Sequence, residues 1–310
     1  MTVNYNSGKD LKALLDERGL GMRKKYGQNF LINEAVRNAL LDALGAGTGD
    51  EVWEIGSGLG AMTRGLLDRG ARVTAFEIDP GFTCLMEELF RDDDRLILVK
   101  GDVQKTWRER PPAPFLFGNL PYNIGAALLA GFIEEKRLFR RVVVMVQKET
   151  ALRMAALPGG PCYSSFSVLC RSRYKVTPLM TIKGASFYPV PKVQSRGVLM
   201  ELSVEEKDPY PGIFYPLVRS LFSVRRKTIK NGLQIFLFSR IIKGKPVRST
   251  DEAGGAAREI LHLAGIRENE RAENLGLAAF VSLAGAAQAC GCMGDAALKG
   301  SLEKSNDCRQ

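Results

Sequence analysis

The sequence predicts an α/β protein in which a mostly parallel sheet carries helices on both faces, followed by a small all-α C-terminal domain. Between residues 50 and 146, five short apolar runs alternate with segments of helical periodicity, as in successive βαβ units. After Asp208 and Pro209 the pattern contains helices only. With 310 residues, 45% of them hydrophobic, the chain can bury one large core and one small one.

The patterns predict four segments. Residues 1–22 form a loosely held N-terminal arm, with a short helical pattern at Leu11, Leu14 and Leu15. The α/β domain spans residues 23–205, the helical domain spans residues 206–285, and a disordered tail follows at 286–310. The predicted strands are 50–55, 72–76, 95–99, 114–118 and 141–146, with an edge pair at 174–182 and 196–204. The predicted C-terminal helices are 214–222, 228–238, 256–264 and 275–283.

Composition limits the partners and the chemistry. A formal charge of +10 and a pI near 9.4 favour a polyanionic partner, although solubility or attraction to a membrane surface would give the same sum. The six cysteines form no Cys-x-x-Cys pair and have no histidine nearby, which predicts free thiols in a reducing cytoplasm and no zinc site. No apolar run is long enough to cross a membrane. The single histidine, His262, lies in an apolar helical run, which disfavours histidine-based triads.

A glycine turn follows the first strand and contains Gly56, Gly58 and Gly60. Glycines let a backbone approach a ligand closely, and the helix that follows presents its positive end. The next strand ends in Glu77, about 20 residues further on, where nucleotide-binding α/β units hold ribose hydroxyls. The spacing Gly-x-Gly-x-Gly is tighter than the dinucleotide fingerprint and favours a smaller adenosyl ligand.

Polar side chains follow three successive strands. They are Glu77, Asp102 and Asn119. The carboxyl ends of parallel strands line one crevice, where ligands bind. A helix cap or an exposed loop charge would explain either carboxylate alone, but the repeated placement favours a shared site.

The segment Asn119-Leu120-Pro121-Tyr122 carries two acceptors beside an aromatic face. The Asn119 side chain and the Leu120 carbonyl, held by the ring of Pro121, suit a planar group bearing NH2, and Tyr122 provides a stacking surface. The 6-amino group of adenine is a poor nucleophile because its lone pair is spread into the ring. Two acceptors would localise that pair for attack on a methyl carbon. A simple turn remains the alternative interpretation.

Two basic clusters and a proline-rich loop complete the candidate residues. The loop from Phe187 to Val193 is predicted to be stiff, and it carries Phe187 either to the second face of a base or into the core as a plug. The basic clusters suit phosphate contacts, although each is also compatible with a solvated surface. They are Arg23, Lys24 and Lys25, and Arg225, Arg226 and Lys227.

The ordered motifs resemble those of the bacterial small-subunit (16S) ribosomal RNA adenine dimethyltransferase family, from about residue 23 to residue 283. They are Lys25-Tyr26-Gly27-Gln28-Asn29-Phe30-Leu31, Glu54-Ile55-Gly56-Ser57-Gly58, Glu77-Ile78-Asp79, Gly101-Asp102, Asn119-Leu120-Pro121-Tyr122, Phe187-Tyr188-Pro189-Val190-Pro191-Lys192-Val193 and Arg225-Arg226-Lys227-Thr228. The chain departs from the family at Ser57, where proline is common, in an apparent insertion at 243–255, and in the tail after 285.

The resemblance implies a class I (Rossmann-like) methyltransferase that uses S-adenosylmethionine. Its expected reaction is dimethylation of the 6-amino groups of two adjacent adenosines near the 3′ end of 16S rRNA in the small subunit, and a cytoplasmic monomer is expected. By the same resemblance the cofactor is bound by Asn29, Leu31, Gly56, Gly58, Glu77, Asp102 and Asn119. The target amine is held by Asn119 and Leu120, with Pro121 beside them and Tyr122 stacking on the extruded base.

Three alternatives remain. A large-subunit rRNA adenine methyltransferase of the macrolide-resistance type shares the cofactor motifs, but the Phe187 loop and the Arg225 cluster argue against it. A non-catalytic RNA-binding or assembly factor would not need intact Glu77, Asp102 and Asn119. A DNA adenine methyltransferase would be expected to carry an added target-recognition domain, which the sequence does not show.

Overall fold

The computed structural model describes residues 3–23, 26–121, 124–203, 210–238, 240–242 and 245–292. The chain divides into two compact units. The sheet unit is Met1–Ala155 with Tyr174–Ser203, and the helical unit is Ala156–Arg173 with Val204–Gln310. Residues 156–173 were predicted within the α/β segment, but Tyr163 and Val168 are buried in the apolar cluster of the helical unit.

The sheet unit alternates strands and helices. Its elements are α1 (Gly8–Glu17), β1 (Phe30–Leu31), α2 (Glu34–Leu44), β2 (Glu51–Ile55), α3 (Ala61–Asp68), β3 (Arg72–Glu77), α4 (Pro80–Leu89), β4 (Leu96–Lys100), α5 (Val103–Thr106), β5 (Phe115–Asn119), α6 (Gly125–Glu134), β6 (Arg141–Gln147), α7 (Lys148–Ala155), β7 (Tyr174–Ile182), β8 (Phe187–Tyr188) and β9 (Ser195–Leu202).

Seven strands form one sheet in the order β4-β3-β2-β5-β6-β9-β7. The strands from β2 to β6 run parallel, whereas β9 is antiparallel to both β6 and β7. The predicted mostly parallel sheet is therefore confirmed, and the two predicted edge strands pair with each other. Because the parallel strands end on one side, the residues that follow β2, β3, β4 and β5 share one edge of the sheet.

Burial and aromatic packing stabilise the central strands of the sheet. Every residue of β6 from 142 to 146 is buried, as its unbroken apolar run predicts for a central strand. Trp53 of β2 packs against Phe76, Phe132 and Phe139, with ring centroids 5.1, 6.3 and 5.5 Å away. Such aromatic pairs contribute about 0.5–1.5 kcal/mol each beyond area burial. The interior thus holds the strands that carry the site.

The N-terminal segment is a packed helix, which corrects the prediction of a loosely held arm at residues 1–22. Leu11, Leu14 and Leu15 of α1 are buried in one cluster with Phe30 and Phe82. Their spacing places all three on one helical face, and that face finds an apolar surface within the sheet unit.

The helical unit comprises α8 (Ser165–Arg173), α9 (Phe214–Ser223), α10 (Ile229–Leu237), β10 (Ile241–Ile242), β11 (Lys245–Pro246), α11 (Thr250–Ala264) and α12 (Leu277–Ala289). The helix α11 begins six residues before its predicted start because Ser249 and Glu252 form a capping box. The apparent insertion at 243–255 is therefore partly helix, while residues 243 and 244 lie outside the described residues.

The tail prediction needs correction at its start. The helix α12 continues to Ala289, and Cys290 and Cys292 are buried beyond it. The predicted tail from residue 293 onward lies outside the described residues. None of the helices in the described ranges is both long and apolar enough to span a membrane.

Candidate active site

A cavity of about 270 Å³ opens where β2, β3, β4 and β5 end. It brings together Glu77, Asp102 and Asn119, which are far apart in sequence. Its other lining residues are Tyr26, Gly27, Gln28, Asn29, Phe30, Ile55, Gly56, Phe76, Ile78, Gly101, Val103, Gln104, Pro121 and Ile124. The strand topology therefore forms the shared crevice that the sequence pattern predicted.

The glycine turn after β2 allows a close approach of two backbones. Gly56 has a φ of 76°, and a Cβ at this position would lie 3.1 Å from the Asn119 carbonyl oxygen. A side chain would be strained here and would crowd the end of β5. Gly58 does not line the cavity; its N–H donates to Glu77 Oε2 at 2.7 Å. Gly58 thus orients the Glu77 carboxylate.

Glu77 is a buried carboxylate that is held at both oxygens. Its Oε2 accepts the Gly58 N–H and its Oε1 accepts the Asp79 N–H at 2.9 Å. Burial raises the pKa of Glu77 to about 7, while these hydrogen bonds oppose the rise. Each oxygen can accept a further hydrogen bond. The group can therefore receive two adjacent hydroxyls, as a ribose presents them.

Asp102 follows β4 and caps the short helix α5. Its Oδ1 accepts the Gln104 N–H at 3.0 Å, which leaves Oδ2 to accept a ligand donor. Ile78 and Val103 also line the cavity, although the sequence analysis did not single them out. Each is the apolar residue directly after a predicted ligand carboxylate, and that placement is the signal that could have found them. Apolar walls beside an acceptor suit a planar heterocycle.

Asn119 has its amide oriented by the segment before β1. Its Nδ2 donates to the Asn29 carbonyl oxygen at 2.9 Å, which leaves Oδ1 to accept a hydrogen bond. The Leu120 N–H donates to the Met145 carbonyl at 3.2 Å and fixes the adjoining peptide, and Pro121 lines the cavity. Tyr122 lies outside the described residues.

Leu31 and Phe187 are core residues in this structure. They face each other in the β1–β8 pair and are buried in one apolar cluster. Leu31 does not line the 270 Å³ cavity, but it lines a smaller pocket of about 30 Å³ that shares Asn29, Gly56 and Asn119 with that cavity. Phe187 is 2% exposed, which corresponds to the plug interpretation and leaves no ring face for a base. The correction concerns Phe187 alone and has a simple cause, since the β1–β8 pair places its side chain against the sheet.

Glu54 is a second buried carboxylate, which the sequence analysis quoted in a motif without giving it a role. It lies in β2 with 1% exposure, and its Oε2 accepts the Thr63 hydroxyl hydrogen at 2.6 Å. Burial raises its pKa to about 7, and the nearby Glu77 carboxylate raises it further. The bond ties β2 to α3 across the glycine turn. A charged residue inside an otherwise apolar strand was the available signal.

Stability is expected to rise as the pH falls from 8 to 5. In the unfolded chain the pKa of Glu54 is near 4.5, so above pH 7 folding must bury an ionised carboxylate. Protonation of the folded protein at lower pH removes the free-energy cost of burying that charge. The shift corresponds to roughly 3 kcal/mol at most. We expect Glu54→Gln to raise the free energy of unfolding at pH 8 and to flatten its slope between pH 5 and 8, measured by urea titration. Glu51→Gln, at the exposed start of β2, is the control. An unchanged slope in Glu54→Gln would show that Glu54 does not titrate in this range.

The basic run of the helical unit lies in the turn between α9 and α10. Arg225, Arg226 and Lys227 are all exposed, and Arg225 Nε lies 3.4 Å from Glu273 Oε2. Arg226 and Lys227 make no ion pair within the described part of the chain. Lys24 and Lys25 of the other cluster lie outside it. Two cations are thus available for a polyanion at this turn.

A parallel sheet with an antiparallel final pair, a glycine turn, and two acidic residues around one cavity define a class I methyltransferase that uses S-adenosylmethionine. A family model described as ribosomal RNA adenine dimethylase matches residues 19–248. The chain belongs to the ribosomal RNA adenine dimethylase family.

Relatives and solved structures agree with this assignment. The chain is 40% identical to ribosomal RNA small subunit methyltransferase A of Treponema denticola, covering 90% of this chain and 94% of the relative. It is 39% identical to the protein of the same name from Borreliella burgdorferi, covering 77% of this chain and 85% of that relative. A dimethyladenosine transferase from Plasmodium falciparum superposes with a TM-score of 0.71 at 26% identity, covering 84% of this chain and 98% of that structure. The 23S rRNA methyltransferase ErmE shares the fold, with a TM-score of 0.60 at 20% identity and coverage of 83% and 98%.

Proposed function

We propose that this protein dimethylates the 6-amino groups of two adjacent adenosines near the 3′ end of 16S rRNA. It acts as a cytoplasmic monomer on the small ribosomal subunit. The observation that carries the proposal is the Asn119 amide, which is oriented by the Asn29 carbonyl and lies at the wall of the cavity. The relatives named small subunit methyltransferase A support this choice of RNA.

The cavity residues fit S-adenosylmethionine. Glu77 would accept hydrogen bonds from the two ribose hydroxyls, and Asp102 Oδ2 would accept one from the adenine amino group. The backbone at Gly56, which has no side chain, would admit the methionine end, since a Cβ there would crowd the Asn119 carbonyl. The bound cofactor supplies an electrophilic methyl group on a sulfonium. Glu77 and Asp102 thus offer acceptors for the ribose and the adenine of that molecule.

The acceptor amine is prepared by two oxygens. Asn119 Oδ1 accepts one hydrogen of the target amino group, and the Leu120 carbonyl accepts the other. No backbone hydrogen bond is donated to the Leu120 carbonyl by the residues that the structure describes. Both contacts concentrate the nitrogen lone pair, which the purine ring otherwise delocalises. Formation of the nitrogen–methyl bond would break the methyl–sulfur bond and leave a neutral thioether. The amine would lose its proton to water as or after it becomes cationic, so the site needs no strong base.

The deciding experiment is transfer of labelled methyl from S-adenosylmethionine to unmethylated small subunits, large subunits and duplex DNA, followed by mapping of the modified base. Dimethyladenosine in small-subunit RNA alone is the expected result. Label in large-subunit RNA or in DNA would show that the proposed substrate is wrong and would identify the actual one. Cofactor binding with no label anywhere would favour an assembly factor.

RNA binding is expected to weaken when the charge of the helical unit is reversed. Arg226→Glu removes one phosphate contact and adds repulsion, so we expect about a tenfold loss of affinity at low salt and a smaller dependence on salt. Filter binding of unmethylated small subunits across salt concentrations measures both. The same reversal at Arg72, exposed at the start of β3, is the control. If the wild type and both variants showed the same dependence of affinity on salt, Arg226 would not contact the RNA.

A further inference from the structure

Tyr5 reaches the glycine turn from the N-terminal segment. Its hydroxyl donates to the Leu59 carbonyl oxygen at 3.0 Å. A Cβ at Gly60 would lie 3.5 Å from the same hydroxyl oxygen, so the phenol lies directly against the turn. Tyr5 and Leu59 also line the pocket of about 30 Å³ that shares Gly56 with the 270 Å³ cavity. The phenol thus contacts the turn beside the space that we assign to the cofactor.

The glycine turn needs contacts from outside to hold its shape. Its three glycines have φ angles of 76°, 58° and 87°, and glycine loses more conformational freedom on folding than any other residue. Within the turn, the Gly60 N–H donates to the Ser57 carbonyl at 2.9 Å. No backbone N–H of the residues that the structure describes donates to the Leu59 carbonyl. The Tyr5 hydroxyl therefore satisfies this acceptor and restrains the turn at that point.

Arg37 of α2 holds Tyr5 in its place. It is 8% exposed, and its Nη1 donates to the Leu31 carbonyl at 2.8 Å and to the Tyr5 carbonyl at 3.3 Å. Its Nη2 donates to Asn6 Oδ1, and Asn6 Nδ2 donates to Glu34 Oε2 at 2.8 Å. The backbone that carries the phenol is thus fixed by the first turns of α2 and by the end of β1.

The glycine turn in its own right orients the carboxylate that we assign to the ribose. The Gly58 N–H donates to Glu77 Oε2 at 2.7 Å. Only the φ and ψ angles of Gly58 and Leu59 separate this N–H from the carbonyl that Tyr5 holds. A displacement of the Leu59 carbonyl would therefore change the direction of the Gly58 N–H. The position of the phenol is in this way linked to the hydrogen bonding of Glu77.

We propose that Tyr5 is a positioning residue of the methyltransferase site. Its hydroxyl fixes the glycine turn, and the turn in consequence directs the Gly58 N–H at Glu77. Tyr5 does not line the 270 Å³ cavity, so it acts through the turn. It also lies before residues 19–248, which match the family model. The inference rests on the proposed function, because it takes Glu77 as the residue that binds the ribose.

The test is the affinity of the full chain for S-adenosylhomocysteine, measured by calorimetry at pH 7. Tyr5→Phe removes the hydroxyl and keeps the ring, and we expect about a threefold to tenfold loss of affinity, the effect of one hydrogen bond. Tyr163→Phe is the matched control, because the Tyr163 hydroxyl donates to the Leu275 carbonyl at 2.8 Å in the helical unit. The control loses the same kind of bond and should keep the wild-type affinity. The melting temperatures of both variants verify that they are folded.

The pH dependence of the affinity separates positioning from a loss of stability. The Gly58 N–H lowers the pKa of Glu77 against the rise that burial causes, so a looser turn raises that pKa further. Because the ionised carboxylate is the better acceptor, Tyr5→Phe is expected to lose more affinity at pH 6 than at pH 8. The substitution leaves the other charged groups around Glu77 in place. They are Glu54, Asp79, Asp102 across the cavity, and Arg23 beside Asp79.

Two results would overturn the inference while leaving the proposed function intact. One is a Tyr5→Phe variant that binds S-adenosylhomocysteine no more weakly than Tyr163→Phe does. The other is an equal loss of affinity at pH 6 and pH 8, which would show that the hydroxyl does not act through Glu77. A wild type whose affinity does not change with pH would overturn the assignment of Glu77 and the inference with it. The RNA substrate is tested by methyl transfer alone, so its failure is seen separately.

Discussion

Replacement of Asn119 by alanine should abolish methyl transfer while leaving cofactor binding nearly unchanged. The variant loses the oxygen that we propose as the acceptor for the target amine, and it frees the Asn29 carbonyl, which now accepts a hydrogen bond from the Asn119 amide. Loss of one preorganised polar contact at a reacting group typically costs about a hundredfold to a thousandfold in kcat. Single-turnover transfer to unmethylated small subunits gives the rate, and calorimetry with S-adenosylhomocysteine gives the affinity.

Two comparisons sharpen this experiment. Asn119→Asp keeps an oxygen but loses the N–H donated to Asn29, so its carboxylate faces a carbonyl and is expected to be misoriented and slow. Asn38→Ala, on the exposed side of α2, should behave as the wild type. If Asn119→Ala transferred methyl groups at the wild-type rate, the amine-holding role would be wrong.

The second large effect is expected at Glu77. Glu77→Gln replaces one oxygen by NH2, so one of the two N–H donors, from Gly58 or Asp79, meets another donor. Hydrogen bonds to charged groups are worth about 1.5–3 kcal/mol each. We therefore expect the affinity for S-adenosylhomocysteine to fall at least about tenfold, measured by calorimetry at pH 8. Glu51→Gln is the control.

The wild-type affinity should also depend on pH. The pKa of Glu77 is raised to about 7. The ionised carboxylate is the better hydrogen-bond acceptor for the ribose hydroxyls that we propose it binds. Affinity is therefore expected to increase from pH 6 to pH 8. Binding favours the ionised group and so lowers the pKa of Glu77 in the complex, which centres the change in affinity below pH 7. Glu77→Gln should lose this pH dependence. A wild type with the same affinity throughout would show that the carboxylate does not titrate there.

Much of the fold was predictable because the local sequence patterns agreed with the packing of the folded protein. The apolar run of β6 and the alternation of strands with helices are compatible with few sheet arrangements that bury the apolar strands. The start of α11 was missed because the periodicity begins late, although Ser249 and Glu252 carry the capping signature. Residues 156–173 were assigned to the α/β segment because their apolar pattern does not say which core will receive them.

The sequence by itself determined the types of group at the site and their order at successive strand ends. Glu77, Asp102 and Asn119 could be placed together because parallel strands end at a common edge. Only the tertiary structure decided which of the proposed residues face the cavity. It placed the Phe187 ring in the core and made Gly58 a donor to Glu77. It also joined Gln28 to Asp79 and Asn29 to Asn119, because such side-chain bonds depend on distances between segments that no local pattern encodes.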